Sequence, residues 1–332
     1  METIQIQESK MQSCKIEAVK IDGYEILEKR LAEHLSDSTG TVREICTYTM
    51  NAGGKRIRPQ LVLHCGLIFS QNKDELLDTA VSAELIHMAS LVHDDIIDKS
   101  PVRRNRQSVN KKWDNHYAVL CGDYLFAKAF SILADQKLSV PLKLMVDSIQ
   151  NMCVGEIEQA GDKFNIKMGF DRYYERIAKK TAIFIMNCCK AGAFVGGANQ
   201  CELSTIGDYG LNLGLAFQII DDILDFSGDA DKIGKPVGED LSQGNITLPV
   251  LLVMKDRKYG NRLNEMLLKD GITAETIPEV TRFLYESGAI SDSFKVAGSF
   301  ISKAKECLGQ LPKTSHTGFL AEMADILESR MN

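Results

Sequence analysis

Apolar residues along this chain recur at steps of three and four, and strand-like alternation is scarce, so the pattern predicts helices through most of it. The clearest is Asp74 to Asp98, DELLDTAVSAELIHMASLVHDDIID. Leu76, Ala80, Ala83, His87, Ser90 or Leu91 and Asp94 fall on one side of it. Leu142 to Gln159 and Ile206 to Phe226 read as further buried helices, as do parts of Tyr173 to Ala198. Loops are marked by Ser100-Pro101, by Gly228 to Gly244 and by Leu311-Pro312. No low-complexity linker and no repeat at solenoid period interrupts the pattern.

Composition leaves that picture in place. An apolar share of 44% and a charged share of 25% are ordinary for a globular chain of 332 residues with a sizeable core. The net charge of −6 argues against nucleic acid as a main partner. The nine cysteines lack zinc-type or redox-type spacing, and Cys188 and Cys189 are adjacent. Reduced thiols in a cytoplasmic protein are therefore expected. The start, METIQIQESKMQSCKIEAVKIDGYEIL, has no basic segment followed by an apolar run, so no secretory signal is expected. The most apolar stretch, Ala182 to Ala198, is broken by Asn187 and Lys190. It falls short of the ~20 apolar residues of a membrane span.

One short motif occurs twice and changes the picture. Asp94-Asp95-Ile96-Ile97-Asp98 and Asp221-Asp222-Ile223-Leu224-Asp225 each carry acids at positions one, two and five. On a helix, residues four apart face the same way, ~5–6 Å apart, so these carboxylates repel one another. The helix end after Asp98 is worse still, because the macrodipole disfavours anions there. A hard cation removes that penalty, and Mg²⁺ commonly bridges one or two carboxylates to substrate phosphates. A solvated acidic face is the plain alternative for one such motif. Leu91-Val92, Ile96-Ile97 and Phe217-Gln218-Ile219-Ile220 flank the copies with apolar residues, and acids set into apolar helices are costly unless paired or metal-bound. Cations for phosphate oxygens are also present. Gly53-Gly54-Lys55-Arg56-Ile57-Arg58-Pro59 reads as a loop entering a helix, with Lys55 and Arg58 on one face. Arg103-Arg104 follow the first acid motif, and arginines suit bidentate phosphate binding.

The motifs in order are GGKRIRP, HDDIID with RR after it, AVLCGDYLFAKAF, GEIEQAGD, KTA, FQIIDDILDF and GKPVGEDLSQGNITLP. The series resembles the trans-isoprenyl diphosphate synthase family from about Gly53 to about Pro249. The wording is similar to bacterial medium- and long-chain members, especially the catalytic component of heptaprenyl diphosphate synthase. The resemblance implies an all-α fold, a single large helical bundle of isoprenoid synthase type around a deep central cavity. It implies one domain over residues 1–332, with a core from about 40 to 310 and an N-terminal helix and C-terminal helical tail packed on it. It implies a prenyltransferase that condenses isopentenyl diphosphate with an allylic diphosphate, with Mg²⁺ as cofactor, about three ions per site with substrate bound. A homodimer is implied, with room for a small accessory subunit and at most peripheral membrane contact for product release. Carried over by position, Asp94, Asp95, Asp98, Asp221, Asp222, Asp225 and Asp240 form the metal shell. Arg103, Lys180 and Lys235 contact the allylic diphosphate, and Lys55, Arg58, His87 and Arg104 hold the isopentenyl diphosphate. Lys180-Thr181 and Gln218 stabilise the allylic cation. Gln159 and Asp162 lie on a helix that the family places beside the first motif.

Two positions depart from the family pattern. Asn105 follows the arginine pair where glycine is usual, and Asn tolerates left-handed backbone. Asn245 stands where many short-chain members have lysine, as in some long-chain bacterial members. Product length is read from the helix that ends in the first motif. Ala89 and Ser90 lie one turn before Asp94, where short-chain members place bulky aromatics, and Ala83 is small on the same face. Met145 is a candidate for the far end of the channel. The reading favours a product of about six to eight isoprene units, with geranylgeranyl or farnesyl products as alternatives. A class I terpene cyclase would carry a different second metal motif, and a non-catalytic subunit of a heteromeric synthase would lose acids that are intact here.

Overall fold

The helical period is realised almost everywhere in the computed structural model of the chain, which describes residues 24–69, 73–227, 237–273 and 275–331. In order these are α1 (Tyr24–Ser36), α2 (Gly40–Met50), α3 (Ile57–Leu67) and α4 (Lys73–Ile97). A two-residue hairpin follows, β1 (Val102–Arg103) and β2 (Arg106–Gln107), then α5 (Val109–Lys112), α6 (Asn115–Leu133) and α7 (Ser139–Gly161). Next come α8 (Phe170–Ile177), a π-helical turn (Ala178–Ala182), α9 (Ile183–Val195) and α10 (Gln200–Ser227). The remainder is α11 (Glu239–Ser242), α12 (Leu248–Met254), α13 (Gly260–Glu265) with a second π-helical turn (Met266–Asp270), α14 (Ile277–Glu286), α15 (Ala289–Leu308) and α16 (Ser315–Ser329). Local chemistry fixes several ends. Asp114 caps α6 by accepting from the Tyr117 N–H at 3.0 Å. Thr314 and Thr317 form a reciprocal capping box at α16. Among the described residues the hairpin is the only sheet.

By their contacts the described residues fall into two units, one running to Met145 and including Ala191–Asn199, the other comprising Val146–Lys190 and everything described from Gln200 on. In the first unit α4 is the central element, packed by α3, α6 and α1. Its Leu76, Ala80, Ala83, Leu85, Ile86, Ala89 and Val92 are buried, so more than one face is covered. That broad burial matches a helix apolar on more than a single stripe. Close approach is met with glycine: a methyl on Gly122 of α6 would strike the imidazole of His93.

In the second unit α10 packs on α15 and on the π-helical turn Ala178–Ala182. Gly210 and Gly214 permit this. A Cβ on Gly214 would lie 2.6 Å from the Ala182 Cα, and one on Gly210 2.8 Å from the Met186 Cα. The Tyr209 hydroxyl donates to the Leu320 carbonyl at 2.9 Å, tying α16 to α10. Among the described residues no single helix is long and apolar enough to cross a membrane.

Candidate active site

In the first unit the GGKRIRP segment is a loop with its arginine in an unusual backbone state. Arg56 has φ 49° and ψ 40°, left-handed geometry that non-glycine residues rarely adopt. A buried ion network holds it there. Its Nε meets Glu28 at 2.6 Å, its Nη1 meets Glu84 at 2.7 Å, and its Nη2 donates to the Met50 carbonyl at 3.1 Å. Gln60 donates to the Lys55 carbonyl at 2.9 Å, bracing the loop from the other side. Pro59 lies in the first turn of α3, where its missing N–H costs nothing.

Arg58 Nη1 lies 3.1 Å from His87 Nε2. A guanidinium can only donate, so Nε2 accepts and the imidazole is neutral with its proton on Nδ1. Burial, then the charges of Arg58, Arg104, Arg103 and Arg56, hold the His87 pKa well below its ordinary value. Nδ1 is buried without a hydrogen-bond partner. Such an orphaned donor invites water or a substrate oxygen. Arg104 reaches the same place: its guanidinium lies 2.6–3.0 Å from where a Cβ on Gly54 would stand. The structure therefore brings Arg58, His87 and Arg104 together beside the loop that carries the exposed Lys55.

Arg104 is aimed by the hairpin. Val102 pairs with Gln107 and Arg103 with Arg106, leaving Arg104 and Asn105 as a two-residue turn with φ 51° and 60°. Two consecutive left-handed residues are what a type I′ turn requires, and asparagine serves where glycine was expected. Arg103 Nε meets Asp95 at 2.7 Å, and Asn110 donates to the Asp95 carbonyl. Asp95 is buried and turned into the protein, whereas Asp94 is half-buried and Asp98 exposed. Asp94 of α4 and Asp98 just beyond its end are thus the acids of this motif presented outward.

The second unit repeats the arrangement on α10. Asp222 is buried, accepting from the Tyr173 hydroxyl at 2.6 Å and from the Gln218 amide at 3.0 Å. Asp221 is exposed, one position round the helix. Asp225 is half-buried and accepts from the Asp240 backbone N–H at 3.3 Å. Burial, then the Asp240 charge, push the carboxyls of both Asp222 and Asp225 up to about 7. The Thr181 hydroxyl donates to Gln218 Oε1 at 2.7 Å. Lys180, in the π-helical turn, meets Glu156 at 2.6 Å, and Lys179 meets Glu158 at 2.8 Å. Arg172 bridges Glu158 and Asp162, so Asp162 sits in an ion network within its own unit. Asn245 is buried, with Oδ1 lacking a partner and its N–H donating to the Asp240 carbonyl at 2.8 Å. Lys235 lies outside the described residues.

The donor set in each unit is hard oxygen, outward-facing and self-repelling, which suits Mg²⁺. Among the described residues no three acid, histidine or cysteine side chains already converge as a ready-made site. An ion that completes its shell with substrate oxygens and water fits that arrangement. Of the residues read as setting product length, Ala83, Ala89 and Met145 are fully enclosed and Ser90 is half-buried, its hydroxyl donating to the His87 carbonyl at 2.9 Å. Sequence reasoning missed Glu28, Glu84, Arg56, Tyr173 and Glu156. Their signal is the partner across the fold, which spacing along the chain does not carry.

Comparison with known proteins agrees with this chemistry. Residues 39–284 match the polyprenyl synthetase family. Heptaprenyl diphosphate synthase component 2 of Bacillus subtilis (strain 168) is 35% identical, over 93% of this chain and 88% of that protein. A short chain isoprenyl diphosphate synthase of Methanothermobacter thermautotrophicus is 33% identical, over 92% of this chain and 96% of that protein. The crystal structure of heptaprenyl diphosphate synthase from Staphylococcus aureus superposes with a TM-score of 0.86 at 32% identity, covering 93% of this chain and 97% of that one. The relatives differ in the chain length their names give, but each is named a prenyl diphosphate synthase. With its helical architecture, its two aspartate motifs and its basic loop, the chain belongs to the polyprenyl synthetase family, the trans-prenyl diphosphate synthases.

Proposed function

We propose that the chain is a Mg²⁺-dependent prenyltransferase that adds isopentenyl diphosphate to allylic diphosphates, giving an all-trans polyprenyl diphosphate of about six to eight isoprene units. The observation that carries this reading is the pair of self-repelling aspartate motifs, each with outward-facing acids, together with the Arg58–His87–Arg104 cluster. Asp94, Asp98 and Asp221, supported by Asp225 and Asp240, are the residues that hold the ions. When bound, Mg²⁺ neutralises the diphosphate and stabilises the charge that develops on the leaving oxygen. Asp95 and Asp222 act from behind, each already engaged by protein donors.

Lys180, Arg103 and Lys235 take the allylic diphosphate. Lys180 rests against Glu156 and exchanges that carboxylate for phosphate. Lys55, Arg58, His87 and Arg104 take isopentenyl diphosphate, His87 as a neutral donor. The allylic C–O bond breaks with its electron pair leaving on diphosphate. The isopentenyl double bond attacks the resulting carbon cation, and a proton passes to the released diphosphate. Thr181 and Gln218 present oxygen dipoles to the cation. The length reading rests on the small residues Ala89 and Ser90 one turn before Asp94. Relatives named as component 2 of a synthase support a second kind of subunit, and the family resemblance supports a homodimer of this chain. Labelled isopentenyl diphosphate with geranyl or farnesyl diphosphate and Mg²⁺, followed by product chromatography with and without host extract, tests the proposal. Products of about thirty to forty carbons are expected, counting five per unit. No metal-dependent incorporation under either condition would sink the enzymatic reading.

A further inference from the structure

We propose that Tyr173 is a positioning residue that acts through Asp222 and Gln218 to aim the oxygen of Thr181 at the allylic cation. This inference rests on the prenyltransferase reading and adds a residue to it. The four side chains form one hydrogen-bonded line within the second unit. The Tyr173 hydroxyl donates to Asp222 Oδ2 at 2.6 Å, Gln218 Nε2 donates to Asp222 Oδ1 at 3.0 Å, and the Thr181 hydroxyl donates to Gln218 Oε1 at 2.7 Å. Tyr173 is fully enclosed, Asp222 is 4% exposed and Thr181 7%.

The direction of every bond follows from the first. Asp222 accepts at both oxygens, Oδ2 from Tyr173 and Oδ1 from Gln218, so the Gln218 amide turns its NH₂ to Asp222. Its carbonyl then faces Thr181 and accepts the hydroxyl hydrogen. The remaining lone pairs of the Thr181 oxygen are left outside that bond, the negative end of a fixed dipole and the polarity an electron-deficient carbon requires. Reverse the amide and the hydroxyl must accept instead, sending its hydrogen outward. Tyr173 guards against that reversal, because it supplies the second donor that keeps the buried carboxylate in place.

The backbone is built to make the line possible. In an unbroken α-helix, eight residues would leave Tyr173 and Thr181 ~80° apart around the axis. The π-helical turn Ala178–Ala182 advances by less per residue and brings Thr181 back towards the face that carries Tyr173. That face meets α10 at Asp222 and Gln218, which are themselves one turn apart. Gly214, one turn before Gln218, permits the close approach at Ala182.

The test is calorimetric binding of two allylic diphosphate analogues with Mg²⁺ present. One carries a tertiary ammonium at the position of the cation, and the other is neutral and cannot ionise. Wild type is expected to prefer the ammonium analogue. Tyr173→Phe should weaken the ammonium analogue about tenfold and leave the neutral one within about twofold, a tenfold change being ~1.4 kcal/mol. Thr181→Val should do the same, and the double variant should be no worse than Thr181→Val alone. Asp222→Asn is the second probe. Its Oδ1 still accepts from Tyr173, but its NH₂ forces Gln218 to reverse, so the preference for the ammonium analogue should be lost there too. Equal weakening of both analogues by Tyr173→Phe, or losses that add in the double variant, would overturn the inference. Wild type that binds neither analogue would instead remove the prenyltransferase reading, and the inference with it.

Discussion

At the scale of single residues, charge and its compensation decide most of what happens. Asp94→Ala and Asp221→Ala should each lower turnover by at least about a hundredfold, since each removes an outward-facing oxygen from the proposed ion site. Neither should lower the melting temperature of the metal-free protein, because each relieves repulsion one turn away. Near-normal activity of both variants at limiting Mg²⁺ would refute the metal assignment. His87 gives a pH prediction. Its pKa is held well below the ordinary value by burial and then by the Arg58 charge, so the imidazole is neutral at physiological pH, and a raised pH removes no charge from it. His87→Gln should therefore leave the shape of the pH profile for isopentenyl diphosphate unchanged, while His87→Ala raises KM severalfold. A profile that loses an inflection near pH 6.5 in His87→Gln would count against the neutral imidazole. The acids and cations of the candidate site stand out in the sequence because residue type and spacing carry their chemistry. The Arg56–Glu28–Glu84 network does not, since both acids lie 28 residues from Arg56 and nothing along the chain pairs them.

Among elements, α4 is the one on which the proposed product length rests. It was legible to within one residue at each end, Lys73–Ile97 against the expected Asp74 to Asp98, because its period runs unbroken. The π-helical turn at Ala178–Ala182 was not legible, since a single extra residue per turn leaves no trace in composition. The short α11, Glu239–Ser242, lay inside a stretch read as loop, and four residues are too few to show a period. Each turn of α4 rises 5.4 Å, about the length of one extended isoprene unit, so on the proposed tail path a bulky side chain one turn before Asp94 would cap the tail early. Ser90→Phe should shorten the product to about three or four units with turnover largely kept. Ala89→Phe carries a second cost, because its methyl is fully enclosed and overpacking such a site destabilises by ~1–3 kcal/mol. Ser90 is half-buried and has more room, so it is the cleaner probe. Chromatography showing an unchanged product from both variants would falsify a tail path along α4.

For the whole molecule, the helical class was legible because period and the scarcity of strands agree over hundreds of residues. The one sheet among the described residues spans four residues and follows from the turn at Arg104-Asn105. Tyr117, Val119 and Leu120 of α6 are exposed apolar residues, as are Val154 and Ile157 of α7. Clusters of that kind mark protein contacts, and sedimentation at assay concentration is expected to show a dimer. A fully active monomer would refute it. Global stability should also register the second aspartate motif. Asp222 and Asp225 have folded pKa values raised from 3.8 to about 7, so the folded protein binds more protons than the unfolded chain between those values. Stability therefore falls as pH rises from about 4 to about 7, and the loss is complete above 7. Asp225→Asn removes one of the two groups. In EDTA its melting temperature should match wild type near pH 5, where both carboxyls are protonated, and exceed it by a few degrees at pH 8. Mg²⁺ with diphosphate should close that gap by stabilising wild type more, because the ionised carboxylate is the form that binds the ion. A difference between the two proteins that stays constant from pH 5 to pH 8 would mean that Asp225 is not strained by burial and by Asp240, and the case for a cation at this motif would then rest on the first unit alone.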